Sequence, residues 1–456
     1  MVSATDKVVI QIPIWRGAAE AREQLLSRRR PDDDELSEIE RTILRRLFDD
    51  EPEFEEAVRR IIERVRSGGD EAVRQIAEAI DGAAPDSIVV TEEEFAQARR
   101  EVSPELVSAL QHAAERVRRY HEMQLEHAAK SFSSDGLGQV VRPLARVGLY
   151  VPGTAAVYPS TVLHTAIPAQ VAGVPEVVIA SPAVPSEDGT ATVNALKLVA
   201  AEIAGVDTVY KVGGAQAIAA LAYGTESIGA VDKIFGPGNR FVTAAKRRLY
   251  GVVGIDAIYG PTETLIVADD TANPELVAAD LLAQAEHDNF AAPILIATSE
   301  PLAKSVVAHL IEQTTDLPRR EIALNAVRNR GGLAFVPNLE EALAIANEYA
   351  PEHLALVVKD AHQRIGDVRN AGGLFVGEAS PEALGDYVAG PSHVMPTGGS
   401  ARFASALNVG EFMKITTVVQ VTDDLLDEIA GDAELIAHAE HLDAHARSLE
   451  RRRRDR

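Results

Sequence analysis

From Arg146 onward, short apolar runs alternate with helix-length segments, and this alternation restricts the possible folds more than any other property of the chain. Val147–Val151, Val177–Ala180, Thr208–Val212 and Lys233–Phe235 read as strands. Helices are predicted to about Ala172 and over Val193–Ile203, Ala215–Ala222 and Phe241–Leu249. Strands separated by helices pair in parallel, because a parallel return needs a long crossover. A second set of strands follows at Thr264–Ala268, Pro293–Ala297, Leu333–Val336, Leu354–Val358 and Leu374–Val376. The fold class is therefore α/β, with two Rossmann-like parallel-sheet units.

The flanking segments read differently. Residues 1–44 form an arm, in which Val8, Ile10, Ile12 and Ile14 alternate as in an edge strand. The run Arg28-Arg-Arg-Pro-Asp-Asp-Asp34 then breaks regularity, and such an arm is expected to pack on a partner subunit. From Glu35 to about Leu125 the chain reads as helical, with Phe54, Val58, Ile61, Ile62 and Val65 on one face and Gly68-Gly69 ending the run. Ser103-Pro104-Glu105 starts another long helix. Past Val409 comes a strand-like run, Thr416–Val421, then acidic helices carrying His438, His441 and His445. The expected division is an arm at 1–44, one α/β domain from 45–149 with 264–408, a second from 150–263, and a C-terminal dimerisation tail at 409–456.

With 456 residues the chain can build two or three cores. A formal net charge of −24 argues against nucleic acid or an anionic membrane surface as partner. The absence of cysteine excludes disulfides, iron–sulfur clusters and thiolate zinc sites. Any metal must then be held by His, Asp, Glu, Gln or Asn. No apolar run reaches membrane-spanning length and no secretory pattern opens the chain, so a cytoplasmic location is expected.

Several constellations could carry chemistry. Asn273-Pro274 starts a helix that ends near Gln284 and His287, which sit three apart and each offer a lone pair to a metal. Pro152-Gly153, Gly213-Gly-Ala-Gln216 and Gly236-Pro-Gly-Asn239 are turns after predicted strands, where ligands of parallel sheets bind. Glu352-His353 pairs a carboxylate with an imidazole, but neighbours in a strand face opposite ways, so joint action needs an irregular backbone. Gly385-Asp386-Tyr387 and His393 lie in a Gly/Pro-rich loop, where turn chemistry is the simpler explanation. His441 and His445, four apart on one predicted helix, resemble half of a zinc-protease motif, but Leu442 replaces the glutamate that motif needs.

Taken together and in order, these pieces resemble the histidinol dehydrogenase family. The matching runs are Val147-Gly-Leu-Tyr-Val-Pro-Gly153, Val212-Gly-Gly-Ala-Gln-Ala-Ile-Ala219, Phe235-Gly-Pro-Gly-Asn239, Gln284-Ala-Glu-His287, Glu348-Tyr-Ala-Pro-Glu-His-Leu354, Gly385-Asp-Tyr387 and His393-Val-Met-Pro-Thr397. The resemblance runs from about Val58 to Arg447 and implies a zinc-containing, NAD-dependent homodimer that oxidises L-histidinol to L-histidine through an aldehyde. It implies zinc on Gln284, His287, Asp386 and His445, the last from the other subunit's tail. Glu352 and His353 fall on the catalytic acid–base pair. Substrate contacts fall on Thr262, Gln284, His287, His353, Asp386, Glu440 and His445, with His393 beside them. NAD contacts fall on Tyr150, Gln216 and Asn239.

The chain departs from the family pattern at Thr262, where Ser is common, and at Thr154, His164 and His441. These departures leave a second reading, a paralogous dehydrogenase of another small polar alcohol such as a sulfonated diol. An anionic substrate would need Lys or Arg, whereas Glu440 and Asp386 favour a cationic one. A non-catalytic scaffold is the third reading, and the intact Glu352-His353 pair and ligand set oppose it.

Overall fold

The computed structural model describes residues 12–28, 35–82, 84–153, 157–185 and 191–454. Val8, Ile10, Thr154 and most of the charge run after Arg28 lie outside the described residues. Two parallel sheets dominate. Six strands run in the order Ile14–Arg16, Gly332–Phe335, Ala292–Ala297, Glu263–Ala268, His353–Val357 and Gly373–Val376. Five more run in the order Gly254–Ile255, Lys233–Phe235, Arg146–Tyr150, Glu176–Ser181 and Thr208–Lys211. The central strand Glu263–Ala268 is buried along its whole length, as expected where helices cover both faces of a sheet.

Local chemistry sets the element ends. The Asn273 side chain accepts from the Glu275 N–H at 3.0 Å and Pro274 opens the helix Pro274–Ala285. Ser103 caps Pro104–His127 in the same way. The helical run from Phe54 ends at the glycine pair as expected, since Gly69 has a non-helical φ of +53° and ψ of −141°, and a second helix continues from the kink to Asp81.

Packing departs from the sequence-based grouping. Residues 45–149 are placed there with 264–408, yet their long helices bury their apolar faces against the five-stranded unit. Val58, Ile61, Val65 and Ile76 pack with Ile218, Leu221 and Ile234. Leu110 and Val117 pack with Leu149, Leu163 and Ile167. Apolar faces on amphipathic helices do not carry the identity of the sheet that will cover them.

The arm also differs from expectation. Its strand Ile14–Arg16 pairs in parallel with Leu333–Phe335, and Ala21 and Leu25 of the next helix enter the core of the six-stranded unit. This part of the arm packs on its own chain. In the tail, Met413–Val419 pairs antiparallel with Leu137–Pro143. The helices Asp423–Ala439 and Asp443–Arg454 then pack mainly on each other, burying Ala430, Ala437 and Ala446 while Leu435 and Ile436 stay 70% and 60% exposed. His441 has a left-handed backbone in the turn between these helices, so it shares no helix face with His445.

Candidate active site

The three glycine turns sit at the carboxyl ends of strands of the five-stranded sheet, as the crossover rule requires. Tyr150 ends one strand, is buried, and its hydroxyl accepts from the Gly214 N–H at 3.1 Å. Burial pushes that phenol up to about 12. Gly236 has φ +108°, and a side chain there would collide with the Tyr150 carbonyl oxygen. The turn is braced from below: the Gly236 N–H donates to Asp256 at 2.7 Å and Lys246, ion-paired with Asp256, donates to the Gly236 carbonyl at 2.9 Å. Asn239 caps the following helix, accepting from Phe241 and Val242. Gln216, in the first turn of the helix Gly214–Tyr223, is wholly buried, and neither its Oε1 nor its Nε2 has a partner among the described residues. A buried amide without partners is costly unless a ligand completes it.

The acid–imidazole pair belongs to the other sheet and lies at the amino ends of its strands. Ala350 adopts φ +50°, Glu352 precedes the strand, and His353 is its first residue. This irregular entry brings the two side chains together, with His353 Nδ1 3.7 Å from Glu352 Oε2. Thr264, on the neighbouring strand, is the register partner of His353. Glu352 Oε2 accepts from the Thr262 hydroxyl at 2.7 Å and from the Glu263 N–H at 3.0 Å. Thr262 in turn accepts from Gln284 Nε2 at 2.8 Å. Burial pushes the Glu352 carboxyl up to about 7, against the opposing pull of His353 and the Thr262 bond. His353 Nδ1 lies 3.1 Å from the Glu263 carbonyl, and its Nε2 is buried without a partner among the described residues.

Around this pair the expected ligands are only partly assembled. Gln284 is wholly buried and its Oε1 has no donor among the described residues. His287 stands just past the helix end and is exposed, and Asp386 is half-buried on the short helix Glu382–Tyr387. Burial holds the His393 imidazole below its usual range, opposed by the charge of Asp386 and reinforced by His353 and His287. His393 is fixed by its Nδ1 at 3.0 Å from the Asp386 carbonyl and its Nε2 at 3.1 Å from the Thr161 hydroxyl. The buried His164 ring stacks on it at 4.3 Å. Glu440 and His445 are exposed on the tail and share no hydrogen bond or ion pair with these residues among those described. No group of three or more His, Asp or Glu forms a metal site among the described residues of the single chain.

Sequence reasoning missed two carboxylates. Glu382 is buried, bonds the Thr264 hydroxyl, and has its Oε1 3.6 Å from His353 Nδ1. Burial and then the Asp386 charge hold its carboxyl well above the usual range. Glu263 is also buried and is pushed up to about 7 by burial, against the pull of Arg28. Glu382 looks like an ordinary acidic helix start after Pro381, and Glu263 like a loop residue before a strand. Neither carries a sequence signal for burial.

Fold and site together define an α/β enzyme, with ligand-ready turns on one sheet and a buried acid–imidazole pair on the other. A family model described as histidinol dehydrogenase matches residues 44–453. The histidinol dehydrogenase of Deinococcus radiodurans is 53% identical over 420 residues, covering 91% of this chain and 94% of that protein. That of Thermus thermophilus is 48% identical over 91% of this chain and 98% of its own length. The crystal structure of histidinol dehydrogenase from Elizabethkingia anophelis superposes with a TM-score of 0.86 at 33% identity, covering 97% of this chain and 98% of that one. This chain belongs to the histidinol dehydrogenase family, and is thereby an oxidoreductase.

Proposed function

We propose that this chain oxidises L-histidinol to L-histidine with NAD, in histidine biosynthesis. The observation that carries the reading is the unpartnered, buried Nε2 of His353 beside the buried carboxyl of Glu352. A carbonyl only accepts, so the Glu263 oxygen fixes hydrogen on Nδ1 and leaves the Nε2 lone pair free as a base. In the first oxidation Nε2 takes the hydroxyl proton while the carbinol carbon loses hydride. In the second, Glu352 takes a proton from water as its oxygen adds to the aldehyde carbon, and the resulting diol loses a second hydride and proton to become the acid. Among the described residues the hydrogen bonds of Glu352 converge on Oε2, which leaves Oε1 free to receive that water. NAD, when bound, accepts the hydride, and Tyr150, Gln216 and Asn239 are its proposed contacts. Burial of the pair limits escape of the aldehyde.

The donor set fits a zinc ion. The orphaned, buried Gln284 Oε1 needs a positive partner, and His287 and Asp386 supply further N and O donors. The fourth proposed ligand is the partner's His445. A bound ion supplies a Lewis acid that orients the amino alcohol. Thr262, Gln284, His287, His353, Asp386, His393 and the partner's Glu440 and His445 are the proposed substrate contacts. The exposed Leu435 and Ile436, with Glu440 and His445 displayed away from their own site, support a homodimer with shared sites. No helix among the described residues is long and apolar enough to cross a membrane, and a cytoplasmic location is proposed. The deciding test is stoichiometry: L-histidinol should yield two NADH per molecule and L-histidine as product. A single NADH, or preference for another alcohol, would refute the assignment.

A further inference from the structure

Arg28, at the end of the described arm, reaches the floor of the site. Its Nη2 donates to Glu263 Oε2 at 3.0 Å, and its Nε lies 3.0 Å from Oε1 as an ion-pair contact that lacks hydrogen-bond geometry. The guanidinium carbon also sits 3.6 Å from the centre of the Tyr349 ring. Room for it is made by Gly399, at φ +79°, where any side chain would occupy the place of Arg28 Nη1. The main chain of Glu263 meanwhile faces the catalytic pair. Its N–H donates to Glu352 Oε2 at 3.0 Å and its carbonyl receives His353 Nδ1 at 3.1 Å.

We propose that Arg28 is a positioning residue for Glu352 and His353, acting through Glu263. Its ion pair and single hydrogen bond neutralise a carboxylate buried beneath the site and so fix the strand start that aims both side chains. The proposal rests on the reading of that pair as catalytic. Glu263 has a side chain only 7% exposed, so without Arg28 its charge has to find a proton or turn toward water. Either response loosens the tie that holds the 262–264 backbone in place. Misplacing reacting groups by about 1 Å can slow turnover about a hundredfold. Lysine keeps the charge but lacks the planar guanidinium that donates to Glu263 while covering the Tyr349 ring.

Steady-state oxidation of L-histidinol by the full-length enzyme tests this. In Arg28→Leu, kcat should fall about tenfold or more while the KM for NAD stays within about twofold. Arg28→Lys should lie between this and the wild type. Arg28→Leu/Glu263→Gln should recover at least about threefold of the lost kcat, because the neutral amide no longer needs the cation. A purely structural role would lower the melting temperature without this rescue of kcat per folded site. Wild-type kcat in Arg28→Leu, or a double variant no faster than the single, would overturn the proposal. If Arg28→Leu does not fold, Arg28→Lys and Arg28→Lys/Glu263→Gln replace it, and wild-type kcat in Arg28→Lys counts against the proposal. Glu352→Gln and His353→Asn run in parallel. Unchanged turnover in these two removes the catalytic reading and the proposal with it, whereas slow reference variants beside a fast Arg28→Leu remove the proposal alone.

Discussion

His353 directs its Nδ1 at the main-chain carbonyl of Glu263, 3.1 Å away, and keeps its Nε2 buried without a partner among the described residues. A strand residue 90 positions earlier thus selects the tautomer of the proposed base. His353→Asn should therefore slow both oxidations about a hundredfold or more, since each needs proton removal. Stopped-flow measurement starting from alcohol and from aldehyde reads the two steps separately. An effect on one step alone would contradict a shared base.

The role proposed for Glu352 is narrower. Glu352→Gln should slow aldehyde oxidation more than alcohol oxidation, because only the former needs an activated water. The carboxyl is pushed up to about 7 by burial, so the wild-type aldehyde step should quicken as pH rises through about 7 and then level off. Equal losses in both steps, or a flat pH profile, would remove the assignment.

The same shift has a consequence for stability. Between the ordinary glutamate value and about 7, folded Glu352 holds a proton that the unfolded chain has released. Folding then binds protons, so this group's contribution to stability is full at low pH and declines as pH rises across that window. Glu352→Gln should flatten part of that decline. Melting temperatures of both proteins from pH 4.5 to 7.5 would show it, and parallel curves would contradict it.

Thr262 links Gln284 to Glu352 through one hydroxyl. Thr262→Val would leave the buried Gln284 Nε2 unpaired and remove one of the two bonds to Glu352 Oε2, and should cost about 1–3 kcal/mol of stability, with a large loss of activity. Thr262→Ser keeps the hydroxyl and should stay near wild type. Denaturant titration and initial rates on the three proteins separate these outcomes.

Exhaustive chelation should abolish activity, and stoichiometric zinc should restore it. Gln284→Leu should lower the metal content measured by elemental analysis. Full activity in metal-free protein would exclude the metal.

Subunit exchange tests the tail. Inactive His445→Ala mixed with inactive Glu352→Gln should regain activity if sites are shared, since a mixed dimer then holds one site with both lesions and one with neither. No recovery despite demonstrated exchange would refute a shared site.

The sequence alone determined the main strands and helices of the two parallel-sheet units but not the strand Leu137–Pro143, because side-chain periodicity, Asn273 and Ser103 as caps and proline at helix starts act within a few residues. Its motif order also singled out Glu352, His353 and Gln284, all of which the fold buries. Tertiary structure decided what no local pattern carries. It set the helices of 45–149 on the five-stranded sheet, since an apolar face accepts any apolar cover. It separated His441 from His445 by a left-handed turn. It also buried Glu263 and Glu382 beside His353 and brought Arg28 beneath them from 235 residues away. Burial and long-range ion pairing are properties of the assembled surfaces, and a carboxylate reads the same in sequence whether water or an imidazole will face it.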